Sequence, residues 1–184
     1  MAIEDRRKAL IEATLPLLLQ NGRAVTTKQI AESAGVAEGT IFRAFDSKDE
    51  LILAAVEAGL DIEPFLEDLA AVDPELELRA RLLEIVVRFQ TRFAGIFALM
   101  SAVGMVGPPQ SRKNMETGRR RAEKILLDLV EPDADLLTCE PGQLVHLLRL
   151  LTFSGTHPHI SDGRRLSPEQ IVDTLLDGVL KKGR

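Results

Sequence analysis

Two short stretches near the N-terminus constrain this chain more than any other feature. Residues 27–34 and 38–44 each have the length of about two helical turns, and a helix that short is not stable alone in water. Both must be braced by a third element. A helix predicted at about 4–21 offers Leu10, Ile11, Leu17 and Leu18, and one beginning near Lys48 offers Leu51 and Ile52. The first stretch opens on Thr26-Thr27-Lys28-Gln29, which fits a capping box, with a hydroxyl accepting from the third amide and Gln reaching back to the cap. Gly35 follows, free to take the positive φ of a sharp corner, with Val36 placed to plug it. Ile30 and Ala34 share one face, and Ala31 is small enough to admit a neighbouring helix. Ile41 and Phe45 supply the buried face of the second stretch, leaving Glu38, Gly39, Thr40 and Arg43 outward. Such a pair with a glycine corner is a helix-turn-helix, and its exposed helix suits a major groove. Amides at the helix starts near Thr27 and Lys48 suit phosphate.

The rest of the chain reads as helix. Ser47-Lys48-Asp49-Glu50 and Ser167-Pro168-Glu169-Gln170 repeat the capping box, the second with proline at the first helical position. Asp73-Pro74-Glu75 offers a cap, a proline and an acid. These signals, with stops at Gly22, Gly35, Gly107-Pro108-Pro109, Pro132 and Pro158, predict further helices at about 48–69, 74–93, 95–106, 112–131, 141–157 and 168–181. No alternating strand pattern competes with them. The fold class expected is all-α, with about nine helices: a three-helix head over residues 1–53 and a helical bundle over 54–184.

Charge does not advertise a nucleic-acid partner. The formal net charge is −5, and residues 1–53 carry seven basic against eight acidic side chains. Any DNA contact must therefore come from local placement of residues. The single cysteine, Cys139, excludes an internal disulfide framework and reads as an incidental reduced thiol. The charged N-terminus lacks the apolar segment of a signal peptide, and Leu15 to Leu19 is too short to span a bilayer. The expectation is a cytoplasmic protein without a membrane partner. No nucleophile–His–acid spacing, phosphate loop or metal set is present, so no enzymatic activity, metal or cofactor is expected. His157-Pro158-His159 falls at an expected helix end, where the proline breaks helical spacing, and Asp162 is the one acidic or cysteine partner nearby.

The run Thr26-Thr27 … Ile30-Ala31 … Ala34-Gly35-Val36 … Gly39-Thr40-Ile41-Phe42 … Phe45 … Lys48 … Leu51 resembles the TetR family of regulators. The likeness is close over roughly the first 55 residues; beyond them only the number and order of helices agree. It implies a homodimeric transcription regulator, usually a repressor, bound to double-stranded DNA with a palindromic operator. Each subunit would have a DNA-binding head and a body carrying both effector pocket and dimer face. Thr26, Thr27, Lys28, Ala37, Glu38, Gly39, Thr40, Phe42, Arg43 and Lys48 are the DNA-facing positions this implies. Gly39 permits close approach, and Arg43 is the expected base or phosphate contact. The chain departs from the family at Ala37, where a capping Ser or Thr is common, at Phe42, which replaces Tyr, and at Ala44. Glu38 adds a carboxylate that can accept from cytosine N4 but repels phosphate. Together these departures imply weaker non-specific binding. They also motivate an alternative reading, a helical protein-interaction module whose helix-turn-helix no longer binds DNA.

In the body, Phe89, Phe93 and Phe97 recur every four residues and are followed by Met100 and Met105, an apolar stripe interrupted by Gly95. On residues alone this is core packing or a ligand pocket. The resemblance implies a site for a small molecule between these helices, and Phe and Met would suit an apolar or aromatic effector. Arg112, Lys113, Arg119, Arg120, Arg121 and Lys124 form a basic segment, read as a solvated helix face or an anion site. Leu144, Val145, Leu147, Leu148, Leu150, Leu151 and Phe153 make one helix apolar all round. With the apolar edge Leu175, Leu176, Val179 and Leu180, it would build a four-helix dimer interface, as in the family. A two-fold pair would match half-sites roughly 34–36 Å apart.

Overall fold

In the computed structural model the described residues are 3–105, 107 and 112–180, the side chains of Ile3 and residues 112–114 excepted. The stop expected at Pro108-Pro109 lies outside them, as do the expected helix ends at Val106 and Lys181. The all-α expectation is met: the described residues form nine α-helices, joined by short 3-10 turns and one isolated bridge between Leu137 and Leu180. The chain divides into two compact units, Met1–Asp61 with Ile96–Ser111, and Ile62–Gly95 with Arg112–Arg184.

The first unit is built on α1 (Ile3–Asn21), α2 (Thr27–Ala34), α3 (Ile41–Ala44) and α4 (Lys48–Gly59). Leu10, Thr14 and Leu18, spaced by four along α1, are fully buried, and the Thr14 hydroxyl returns its hydrogen bond to the Leu10 carbonyl at 2.7 Å. They pack with Ile30 and Ala31 of α2, Ile41 and Ala44 of α3, Phe45, and Leu51, Ile52, Ala55 and Val56 of α4. The short helices are thus held by burial of one face each, which offsets their unfavourable nucleation. Leu99 and Val103 join the same core. Gly22 makes room for this: it has φ +56°, and a Cβ there would sit 2.5 Å from the Ala102 carbonyl oxygen.

The second unit contains α5 (Glu63–Ala70), residues 78–95 of α6 (Leu78–Val103), α7 (Arg112–Val130), α8 (Pro141–Thr156) and α9 (Pro168–Val179). Its core joins Phe65, Leu69, Leu82, Ile85, Val86 and Phe89 with Leu126, Leu144, Leu148, Ile171 and Val172. Arg81, only 3% exposed, donates to the carbonyls of Pro74 and Leu76 and pairs with Asp133. A buried guanidinium that meets several acceptors in this way ties two loops to α6. The Thr138 amide and hydroxyl both donate to the Val179 carbonyl, at 2.6 and 2.8 Å, and close the end of α9.

Three element boundaries differ from the sequence reading. The helix expected over 48–69 is two helices, broken at Leu60–Ile62. Pro64 stands in the first turn of α5, where its missing N–H costs nothing and its fixed φ suits the start of a new helix. The helices expected at 74–93 and 95–106 are instead one, running through an exposed Gly95. A single glycine costs a helix only about 1 kcal/mol, less than the burial of Phe89 and Leu99 on either side contributes. Finally, Asp73-Pro74-Glu75 forms a turn, in which Asp73 Oδ1 accepts from the Glu75 amide at 2.9 Å, and α6 begins only at Leu78.

Candidate nucleic-acid interface

The expected capping box is formed. Thr26 Oγ1 accepts from the Gln29 amide at 3.2 Å, and Gln29 Oε1 accepts from the Thr26 amide at 2.8 Å. α2 ends on Gly35 in the left-handed region (φ 67°, ψ 31°), which lets the Val36 amide reach back to the Ala31 carbonyl at 3.0 Å. The chain then turns into a 3-10 turn, Glu38–Thr40, continued by α3. Residues 38–44 are one short element whose tight first turn lacks a capping side chain, because Ala37 has no oxygen to give.

Its two faces are sharply different. Ile41 and Ala44 are buried, whereas Glu38, Gly39, Phe42 and Arg43 are exposed and Thr40 is half-buried. Phe42 stands 55% exposed, a large aromatic ring with no core function. Thr26, Lys28 and Ala37 are exposed as well, with Thr27 and Lys48 half-buried. The predicted DNA-facing residues therefore lie on the outer side of the helix-turn-helix and its flanks.

Much of the positive charge on this unit is engaged. Lys28 pairs with Glu32 at 4.0 Å and Arg23 with Asp49 at 3.2 Å, while Lys48 Nζ donates to the Arg23 carbonyl at 3.0 Å. Among the described residues no acidic group holds Arg43. Sequence reasoning missed Arg7. Its guanidinium donates to the Ala44 carbonyl at the end of α3, lies 4.0 Å from the Phe45 ring centroid and pairs with Glu50 at 3.1 Å. The Glu50 carboxyl is held below its usual range first by the Asp46 amide and then by Arg7. No local signal marks Arg7, since its partners lie 37 and 43 residues away.

The residues considered for an effector are not all brought together. Phe89 and Phe93 belong to the second unit, 5.4 Å apart between ring centroids. Phe97, Met100 and Met105 fall in the first, where Met105 packs against its core. Phe65, not singled out from the sequence, and Phe153, read there as part of the apolar α8, extend the first pair: Phe65 meets Phe89 edge-on at 4.9 Å, and Phe153 meets Phe93 at 5.3 Å. In the basic segment of α7, Arg120 pairs with Glu116, Arg121 with Glu63 and Lys124 with Asp128, while the side chains of Arg112 and Lys113 lie outside the described residues. Among the described residues no group of three His, Cys, Asp or Glu could hold a metal ion, and no helix is long and apolar enough to cross a membrane.

A sequence profile described as "Bacterial regulatory proteins, tetR family" matches residues 10–55, the span that builds this surface. Over that span, about a quarter of the chain, it is similar to the TetR family. This is a family of transcriptional regulators, not of enzymes. The chain is 50% identical over 48 residues to the uncharacterized HTH-type transcriptional regulator YvkB of Bacillus subtilis, covering 26% of this chain and 25% of that one. It is 43% identical over 56 residues to the HTH-type transcriptional repressor KstR of Rhodococcus jostii, covering 30% and 26%. The matches thus span about a quarter of each curated relative's length. A TetR-family transcriptional regulator from Streptomyces coelicolor has a similar fold over 96% of this chain and 80% of its own, with 25% identity and a TM-score of 0.63.

Proposed function

We propose that this chain is a TetR-family DNA-binding transcriptional regulator, a repressor released from a palindromic operator by a small-molecule effector. DNA reading is assigned to residues 1–53, and effector binding and dimerisation to the remainder. The observation that carries the reading is the outer face of residues 38–44, where Glu38, Phe42 and Arg43 are exposed and Thr40 half-exposed beside a core that fixes Ile41 and Ala44. Side chains in that position can reach base edges when the helix lies in a major groove. The repressor named among the relatives supports the direction of control.

Dimerisation is supported by α8, where Leu150 is 42% exposed and Leu147 and Leu151 are half-buried in the single chain. On α9, by contrast, Leu175, Leu176 and Val179 are already buried within their own unit, and only Leu180 of the predicted edge is exposed. Effector binding is assigned to the neighbourhood of the Phe65, Phe89, Phe93 and Phe153 rings, which pack in series within the second unit and would suit an apolar or aromatic ligand.

The test is a mobility-shift and footprinting series on the gene's own promoter at several salt concentrations. A protected palindrome is expected, with affinity falling steeply as salt rises. A cognate effector is expected to weaken the operator complex about five- to 150-fold. A promoter left unprotected at every salt concentration favours the protein-interaction reading, for which the exposed Phe42 ring is the natural contact.

A further inference from the structure

We propose that Glu38 selects cytosine in the operator and that Thr27 holds it in its reading position. This rests on the DNA-binding function proposed above and goes beyond it by naming the base. Glu38 opens the recognition element and is exposed, and its Oε1 accepts a hydrogen bond from Thr27 Oγ1 at 2.5 Å. Thr27 is the first residue of α2, whose start is itself fastened by the Thr26–Gln29 capping box. One carboxylate oxygen is therefore tied to a rigid corner of the unit, and among the described residues the other has no protein partner. Part of the rotamer entropy that a glutamate loses on docking is already spent in the free protein.

An ionised carboxylate can only accept hydrogen bonds. Guanine N7 and O6 and thymine O4 are acceptors, so a glutamate meeting them is repelled. The major-groove donors are cytosine N4 and adenine N6. Adenine carries the N7 acceptor beside its donor, whereas cytosine presents N4 without an adjacent acceptor. Cytosine is the base that fits.

The same charge acts on the backbone. With Lys28 paired to Glu32 and Arg23 to Asp49, fewer basic side chains are left to draw in phosphates, and Glu38 repels them further. Affinity for random duplex falls while the gap between right and wrong sequence widens, because base contacts rather than phosphate contacts specify.

The experiment selects bound sequences from a random duplex pool with the full chain as wild type, Glu38→Gln and Thr27→Val. Affinities are then measured for the selected and the random duplexes, with melting by circular dichroism alongside. Glu38 is exposed, so Glu38→Gln is expected to melt as the wild type does. The wild type is expected to recover one cytosine per half-site. Glu38→Gln moves that position towards adenine, whose N6 and N7 a glutamine pairs with, changing the cytosine-to-adenine ratio by about ten-fold or more. It also binds random duplex several-fold more tightly, whereas Thr27→Val retains cytosine with a weaker preference. Identical selected sequences for wild type and Glu38→Gln overturn the assignment while DNA binding stands. Undiminished cytosine preference in Thr27→Val overturns the tether. A wild type that enriches no sequence overturns the DNA-reading function and this inference with it.

Discussion

Replacing Arg7 by Ala removes the clamp on the C-terminal end of the short element at residues 38–44. α3 has four α-helical residues, so its terminal carbonyls are a large share of its hydrogen-bonding groups. The substitution deletes a charge-assisted hydrogen bond to the Ala44 carbonyl, a kind worth about 1.5–3 kcal/mol. It also deletes the cation–π contact to Phe45 at 4.0 Å, worth about 0.5–1 kcal/mol at a partly exposed site. The ion pair to Glu50 adds little, because the two side chains stay 35% and 39% exposed. These contributions overlap, and water can replace part of the carbonyl bond, so the expected loss is about 2 kcal/mol. That corresponds to roughly thirty-fold more frequent opening of the element. The chain has neither Trp nor Tyr for intrinsic fluorescence, so hydrogen exchange read by mass spectrometry on peptides across residues 38–50 is the suitable assay. The Phe45 amide, bonded to the Ile41 carbonyl at 2.8 Å, is expected to exchange about thirty times faster in Arg7→Ala. Arg7→Lys keeps the charge but loses the planar fork, and is expected to fall between. Exchange within about three-fold of wild type over residues 41–45 would refute the clamp.

Three further outcomes are expected. Gly35→Ala places a Cβ in the left-handed region with nothing within 4 Å, whereas Gly22→Ala adds a clash with the Ala102 carbonyl to the same backbone penalty. Thermal melts should show a loss of about 1–2 kcal/mol for the first and a clearly larger one for the second; equal losses would contradict the packing of residues 96–103 in that unit. Arg121 holds the Glu63 carboxyl below its usual range and Arg79 does the same for Asp173. The stability these pairs add is present above ordinary carboxylate values, near pH 4, and is lost as the pH falls through the lowered ones. Urea midpoints of Glu63→Gln and Asp173→Asn should therefore fall less on acidification than those of the wild type. Arg43→Ala should either relax preference at one operator position, if it reads a base, or lower the slope of log affinity on log salt by about 1, if it holds a phosphate. No change in either measurement would remove Arg43 from the interface.

What was legible in the sequence is what short chain separations control. The capping boxes at Thr26–Gln29 and Ser167–Gln170 form as expected because donor and acceptor are three residues apart. The turn at Gly35 forms because only its own φ has to change. The likeness to the TetR family rests on this same short span, 10–55. Pro64 did mark the break between α4 and α5, but apolar periodicity running through it masked the signal. Gly95 looked like a stop and was not, since packing on both sides outweighs one residue's propensity. Other features were decided only by tertiary structure. Arg7 meets Ala44 and Glu50, and Thr27 meets Glu38, only after α1, α2 and α3 have packed around Leu10, Ile30 and Ile41. The aromatic stripe of α6 is regular in sequence, yet it divides between two cores because a helix of 26 residues is longer than either unit's share of it. Periodicity tells which face of a helix is apolar; the partner that covers that face is set by contacts between residues far apart in the chain.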